Sequence, residues 1–155
     1  MASSLIRGRH LVRRVTGPDT ADVLDDGALL QRDGVIVEVG AYAELRAKHP
    51  GEPEVGSRHH LVLPAFVNAH HHAGLSAGLT GCLDGTLELW LHEMWARRDA
   101  DPYLDALYSA LHLMRSGVGT TIANLTRWIP PAGDAVLRDA EQVIRGYRDA
   151  GMRVA

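Results

Sequence analysis

The apolar run Leu61-Val62-Leu63-Pro64-Ala65-Phe66-Val67 gives way to Asn68-Ala69-His70-His71-His72-Ala73, and this junction constrains the fold more than any other stretch. A short run rich in β-branched and aromatic residues reads as a buried strand. Side chains alternate along a strand. Phe66, Asn68, His70 and His72 are therefore expected on one side, and Ala65, Val67, Ala69 and His71 on the other. At roughly 3.3–3.4 Å per residue, His70 and His72 stand about 7 Å apart along their face, close enough to bend toward one ion. The small residues opposite suit a helix packed on the sheet. The C-terminal end of a buried parallel strand is where barrel and open α/β enzymes place their chemistry. Spacing alone leaves two readings, a polar strand end or half of a metal site, because two ligands under-determine a coordination sphere.

The flanking sequence supplies the order of elements. Residues 4–62 read as closely spaced strands, with Asp33-Gly34 as the turn of a hairpin between Ala28-Leu29-Leu30 and Val35-Ile36-Val37. Tyr42 to Lys48 is one helical turn or two, stopped by Pro50-Gly51. Ala73 to Gly85 is glycine-rich and reads as a loop. Thr86 can cap a helix to about Arg97, striped by Leu87, Trp90, Leu91, Met94 and Trp95. Asp101-Pro102 is a cap with proline at the first helical position, followed by a stripe of Leu104, Leu107, Tyr108 and Leu111 that Gly117 ends. Val118 to Leu125 is a second strand. A helix from Asp134 turns Val136, Leu137, Ala140, Val143, Ile144 and Tyr147 inward, and Met152 to Ala155 begins a third strand. The order β-α-β-α-β implies parallel strands with right-handed crossovers.

Composition excludes several classes. With 46% hydrophobic and 23% charged residues among 155, the chain is that of a globular protein long enough for one domain core. A formal net charge of -3 gives no electrostatic case for nucleic acid. No apolar run approaches the roughly 20 residues of a bilayer span. Cys82 is the single cysteine, so no internal disulfide forms, which fits a reducing, cytoplasmic setting. His92-Glu93 lacks the second histidine of a zinc-protease helix, where Ala96 stands instead. Gly117-Val118-Gly119 ends a helix rather than opening one, unlike a dinucleotide loop. His59, His60 and His112 read as solvated or partly packed.

The stretch Asp26 to Gly40, the segment Leu63-Pro64-Ala65-Phe66-Val67-Asn68-Ala69-His70-His71-His72, and Leu113-Met114-Arg115-Ser116-Gly117-Val118-Gly119-Thr120-Thr121 together resemble the opening of the metal-dependent amidohydrolase superfamily, in the flavour of its cytosine deaminase and triazine hydrolase branch. The resemblance covers nearly the whole chain in order. Ala65 replaces the glycine usual between proline and phenylalanine, and Gly119 stands where a threonine is common. Arg7, Arg9, Arg13 and Arg14, with no acid before Asp19, faintly resemble a transit peptide. Leu5-Ile6 and Leu11-Val12 match the family's first strand and favour a structured start.

The resemblance implies an α/β chain, the N-terminal part of a (β/α)8 TIM-type barrel preceded by part of a small β-sandwich, with residues 1–62 in the sandwich and 63–155 in the first β/α units. A complete barrel takes roughly 250 residues. The sequence therefore reads as a fragment of a longer enzyme or as a truncated product with exposed sheet edges, open to self-association as a homo-oligomer. The implied activity is hydrolysis of a non-peptide C–N bond, the deamination of a pyrimidine-, purine- or triazine-like small molecule. The alternatives are a cyclic-amide hydrolase and a catalytically inactive remnant. His70 and His72 would ligate Zn²⁺, or else Fe²⁺ or Mn²⁺. Two further histidines and an aspartate from later strands would complete the site, so the chain alone is expected to bind metal weakly and not to turn over. Asn124 and Thr126, ending the second strand, and Trp90 are the expected substrate contacts, although Trp90 equally fits a packing stripe.

Overall fold

The computed structural model describes residues 2–73, 82, 85–96, 100–125 and 133–155. The chain divides into two compact units, Met1–Pro64 and Ala65–Ala155. The first holds strands β1 (Ser3–Gly17), β2 (Thr20–Arg32), β3 (Val35–Ala41) and β4 (Glu54–Val62), with one short helix, α1 (Tyr42–Lys48). Sheet order is β3-β2-β1-β4. The β1–β2 and β2–β3 pairs are antiparallel, and β4 lies parallel to β1. Asp33 and Gly34 have φ of 50° and 81°. Two adjacent positive values make the tight turn whose twist matches the flanking strands. Leu45 of α1 packs on Leu5, Ala28 and Leu30 to make the core of this unit.

The second unit alternates strand and helix: β5 (Phe66–Ala73), α2 (Leu87–Trp95), α3 (Pro102–Arg115), β6 (Val118–Leu125), α4 (Ala135–Asp149) and β7 (Arg153–Val154). The sheet runs β5-β6-β7, parallel throughout. Asp101 Oδ1 accepts from the Leu104 amide at 3.0 Å, and Pro102 needs no partner for an N–H that it lacks. Gly117, at φ 81°, releases the chain from α3 into β6. Ala73, Ala106, Ala110, Val143, Tyr147 and Met152 form the core.

Four sequence expectations differ from what is found. The apolar run is not one buried strand. Pro64, with no amide to donate, lies between the end of β4 and the start of β5, and Leu61, Phe66 and Val67 are exposed. Thr86 stands at the N-cap of α2 but makes no side-chain cap bond. On α3 the buried face is Asp105, Ala106, Ser109 and Ala110, while Leu104, Tyr108 and Leu111 face outward. The physical reason is a close helix crossing. A Cβ on Gly146 of α4 would lie 2.7 Å from the Tyr103 carbonyl oxygen and 2.8 Å from the Ala106 Cβ, so only small residues fit where α3 and α4 meet. Likewise on α4, Val143, Gly146 and Tyr147 are buried, whereas Val136, Leu137 and Ile144 are exposed. Among the described residues, no helix is long and apolar enough to cross a membrane.

Candidate metal centre

Pairing of β5 with β6 runs Asn68 to Thr121, then His71 to Ala123, His72 to Asn124 and Ala73 to Leu125. Three steps along β5 match two along β6, so one extra residue is accommodated between Asn68 and His71. Simple alternation from Phe66 to His72 is therefore broken. Residues paired across a sheet share a face, and Thr121 is fully buried, so Asn68 sides with it rather than with the histidine pair. The Asn68 side chain serves this irregularity directly: its Oδ1 accepts the His70 amide at 3.1 Å. Beyond it the strand resumes alternation and delivers His70 and His72 to one place.

Their Nε2 atoms lie 3.0 Å apart, with ring centroids at 4.8 Å and planes inclined by 78°. Two Zn–N bonds of about 2.0–2.1 Å, opened to a tetrahedral angle, would put the nitrogens about 3.3 Å apart. The pair is within a few tenths of an ångström of that spacing, and both rings are exposed on the strand end. Imidazole suits zinc, copper, iron and nickel, so donor type and spacing both fit a transition metal. Among the described residues, no group of three or more His, Cys, Asp or Glu side chains gathers to hold an ion.

His71 turns the other way. Its Nε2 meets Ser109 Oγ of α3 in a short hydrogen bond, and Tyr147 of α4 donates its hydroxyl to the same oxygen at 3.4 Å. Ser109, Tyr147 and the neighbouring Asp105 are almost completely buried. Burial pushes the His71 pKa below the ordinary histidine value; the Asp105 charge opposes this, and His72 and His70 add to it. Burial likewise raises the Tyr147 hydroxyl, while the hydrogen bond with Ser109 acts against the shift. The neutral imidazole is thus the favoured form behind the strand.

Of the other sequence-derived candidates, Asn124 is exposed and pairs with His72 in register, on the strand beside the pair. Trp90 is half-buried on α2. Thr126 lies outside the described residues. Sequence reasoning missed Ser109 and Asp105. The available signal was the odd histidine: an imidazole facing the helix layer needs a polar partner there, and Asp105 and Ser109 repeat at a four-residue spacing on α3.

A model of the imidazolonepropionase-like composite domain of bacteria matches residues 27–51. The 5-methylthioadenosine/S-adenosylhomocysteine deaminase of Pyrococcus furiosus is 32% identical over 129 residues, covering 80% of this chain and 29% of that protein. The chain belongs to the amidohydrolase superfamily. Within that superfamily, the triazine hydrolase of Arthrobacter aurescens shares the fold at a TM-score of 0.70 and 21% identity, over 99% of this chain and 35% of its own. A zinc-bound adenosine deaminase from Xanthomonas campestris shares it at 0.63 and 22%, over 99% and 33%. This amidohydrolase chain spans between 21% and 31% of the length of the curated relatives it matches.

Proposed function

We propose that the chain forms the metal-binding opening of a hydrolase acting on non-peptide C–N bonds, by hydrolytic deamination of a pyrimidine-, purine- or triazine-like substrate. The observation that carries this is the Nε2–Nε2 approach of His70 and His72 at 3.0 Å, on a strand end of a parallel sheet. Parallel strands joined through helices, and the fold likeness to the two solved enzymes, support reading residues 63–155 as the first units of a (β/α)8 barrel. The four-stranded sheet supports reading residues 1–62 as part of a β-sandwich.

His70 and His72 hold the ion through Nε2, and zinc is the first choice over Fe²⁺ or Mn²⁺ on donor type and spacing. When bound, such an ion supplies Lewis acidity, lowering the pKa of a water toward neutrality. Overall, water oxygen replaces nitrogen on the ring carbon; one water proton leaves with the amino group as ammonia, and the other stays on the product, on its oxygen or a ring nitrogen. Asn124, beside His72, offers one acceptor and two donors to the edge of a heterocycle. Thr126 and Trp90 are assigned further substrate contacts. The match of residues 27–51 to an imidazolonepropionase-like domain favours one second reading, hydrolysis of a cyclic amide.

Zinc titration tests the site. The chain should bind zinc weakly through the pair, since two ligands leave most of the coordination sphere to water, and His70→Ala or His72→Ala should lose that binding. Unchanged affinity in both variants would overturn the assignment. In a full-length parent, ammonia release from aminopurines or aminotriazines supports deamination, whereas ring opening of an imidazolone without ammonia supports the second reading.

A further inference from the structure

Among the described residues, the polar line behind β5 is a buried hydrogen-bonded cluster that the metal assignment leaves without a task. Ser109 is 2% exposed and Tyr147 is fully buried, among Ala73, Ala106, Ala110 and Val143. A hydroxyl in such surroundings costs stability unless it is bonded, and an apolar residue of similar shape would remove that cost. The line therefore needs a reason, and its outer end is the imidazole between the two proposed ligands.

We infer that Ser109 and Tyr147 are positioning residues for His70 and His72, acting through His71. The inference rests on the metal-pair reading above. Tyr147 gives its proton to Ser109 Oγ, and the single Ser109 proton is assigned to the His71 ring. His71 Nε2 then accepts, and its own proton sits on Nδ1. A ring pinned this way fixes the side to which residue 71 points. Just past an irregular step, where β5 could otherwise slip, it holds residues 70 and 72 on the opposite face. The two helices α3 and α4 thereby set the orientation of the strand end.

The test uses the 155-residue chain with cobalt(II), whose absorption reports binding, and nitrogen-15 correlation of the histidine rings in the metal-free protein. The expected results are the Nδ1–H form of His71 in the wild type, and a cobalt Kd raised about tenfold by Ser109→Ala and several-fold by Tyr147→Phe, as for groups that orient a ligand. In Ser109→Ala the His71 ring should lose its fixed proton position. An Nε2–H form in the wild type would overturn the proposal, and that readout needs no variant to fold. So would unchanged cobalt affinity in both variants while His70→Ala and His72→Ala lose binding. If those two ligand variants bind as the wild type does, the metal-pair reading fails instead.

Discussion

Gly146 of α4 lies against Ala106 of α3 so closely that a single added methyl would stand 2.8 Å from the Ala106 Cβ. Two opposing effects meet at this position. Alanine improves helix propensity by about 1 kcal/mol. Against that, the new Cβ would also meet the Tyr103 carbonyl oxygen at 2.7 Å, and backbone cannot step aside as a flexible side chain can. Overpacking of this kind costs about 1–3 kcal/mol. Gly146→Ala should therefore destabilise the chain by about 1 kcal/mol net, read as a lowered midpoint in urea unfolding. A raised midpoint would show that the helices part easily.

Replacing His70 or His72 by alanine should abolish the weak zinc binding of the pair, while His71→Ala should leave measurable binding. The first two remove donors whose Nε2 atoms are already 3.0 Å apart; the third removes only a group facing Ser109. Loss of an orienting group typically costs 10–100-fold in affinity rather than all of it. Isothermal titration with zinc on the three variants decides the ranking, which His71→Ala behaving like the ligand variants would reverse.

Asn68→Ala should loosen the step before the histidines. The carboxamide accepts the His70 amide at 3.1 Å, and its removal gives that amide to solvent. A loss of about 1 kcal/mol is expected for one such bond. Amide hydrogen exchange at His70 should accelerate, with zinc binding weakened in parallel. Unaltered exchange would mean the register is held elsewhere.

In the first unit, Glu38 accepts from Lys48 Nζ at 2.7 Å and contacts His49 Nε2 at 2.9 Å. The hydrogen bond from Lys48, and then that from His49, hold its carboxyl below the usual glutamate value. A depressed folded-state pKa stabilises above the unfolded value and loses that contribution as pH falls through the folded one. Glu38→Gln should thus lower thermal stability slightly at neutral pH, with the difference vanishing on acidification. Melting curves from pH 7 to pH 3 check the sign; a gap widening toward low pH would contradict it.

Much of the architecture was legible in local chemistry. Asp33-Gly34 announced a turn needing two positive φ values, and Asp101-Pro102 announced a helix start. The faces of α3 were not. Periodicity finds a stripe of leucines, but Leu104 and Leu111 face outward, because the close crossing at Gly146 sets the Ala106 methyl and the Tyr103 carbonyl against α4 and buries the face of Asp105, Ala106, Ser109 and Ala110. Which of two stripes is buried depends on what a distant segment brings. The same limit applies to β5. Its extra residue is defined by pairing with β6, some fifty positions away, so strict alternation misplaced Asn68 while still bringing His70 and His72 together.

Under the proposed assignment, both imidazoles come from one strand, two residues apart, and β5 would act as a chelating arm. An ion captured by the first ring meets the second at the high effective concentration of an intramolecular group, since little chain has to be ordered to reach it. Escape should then be slower than from a single ring, as both bonds must open before the ion can leave. The contribution of each ring is consequently not half of the whole: removing either one abolishes the chelate and leaves a single, readily exchanging donor.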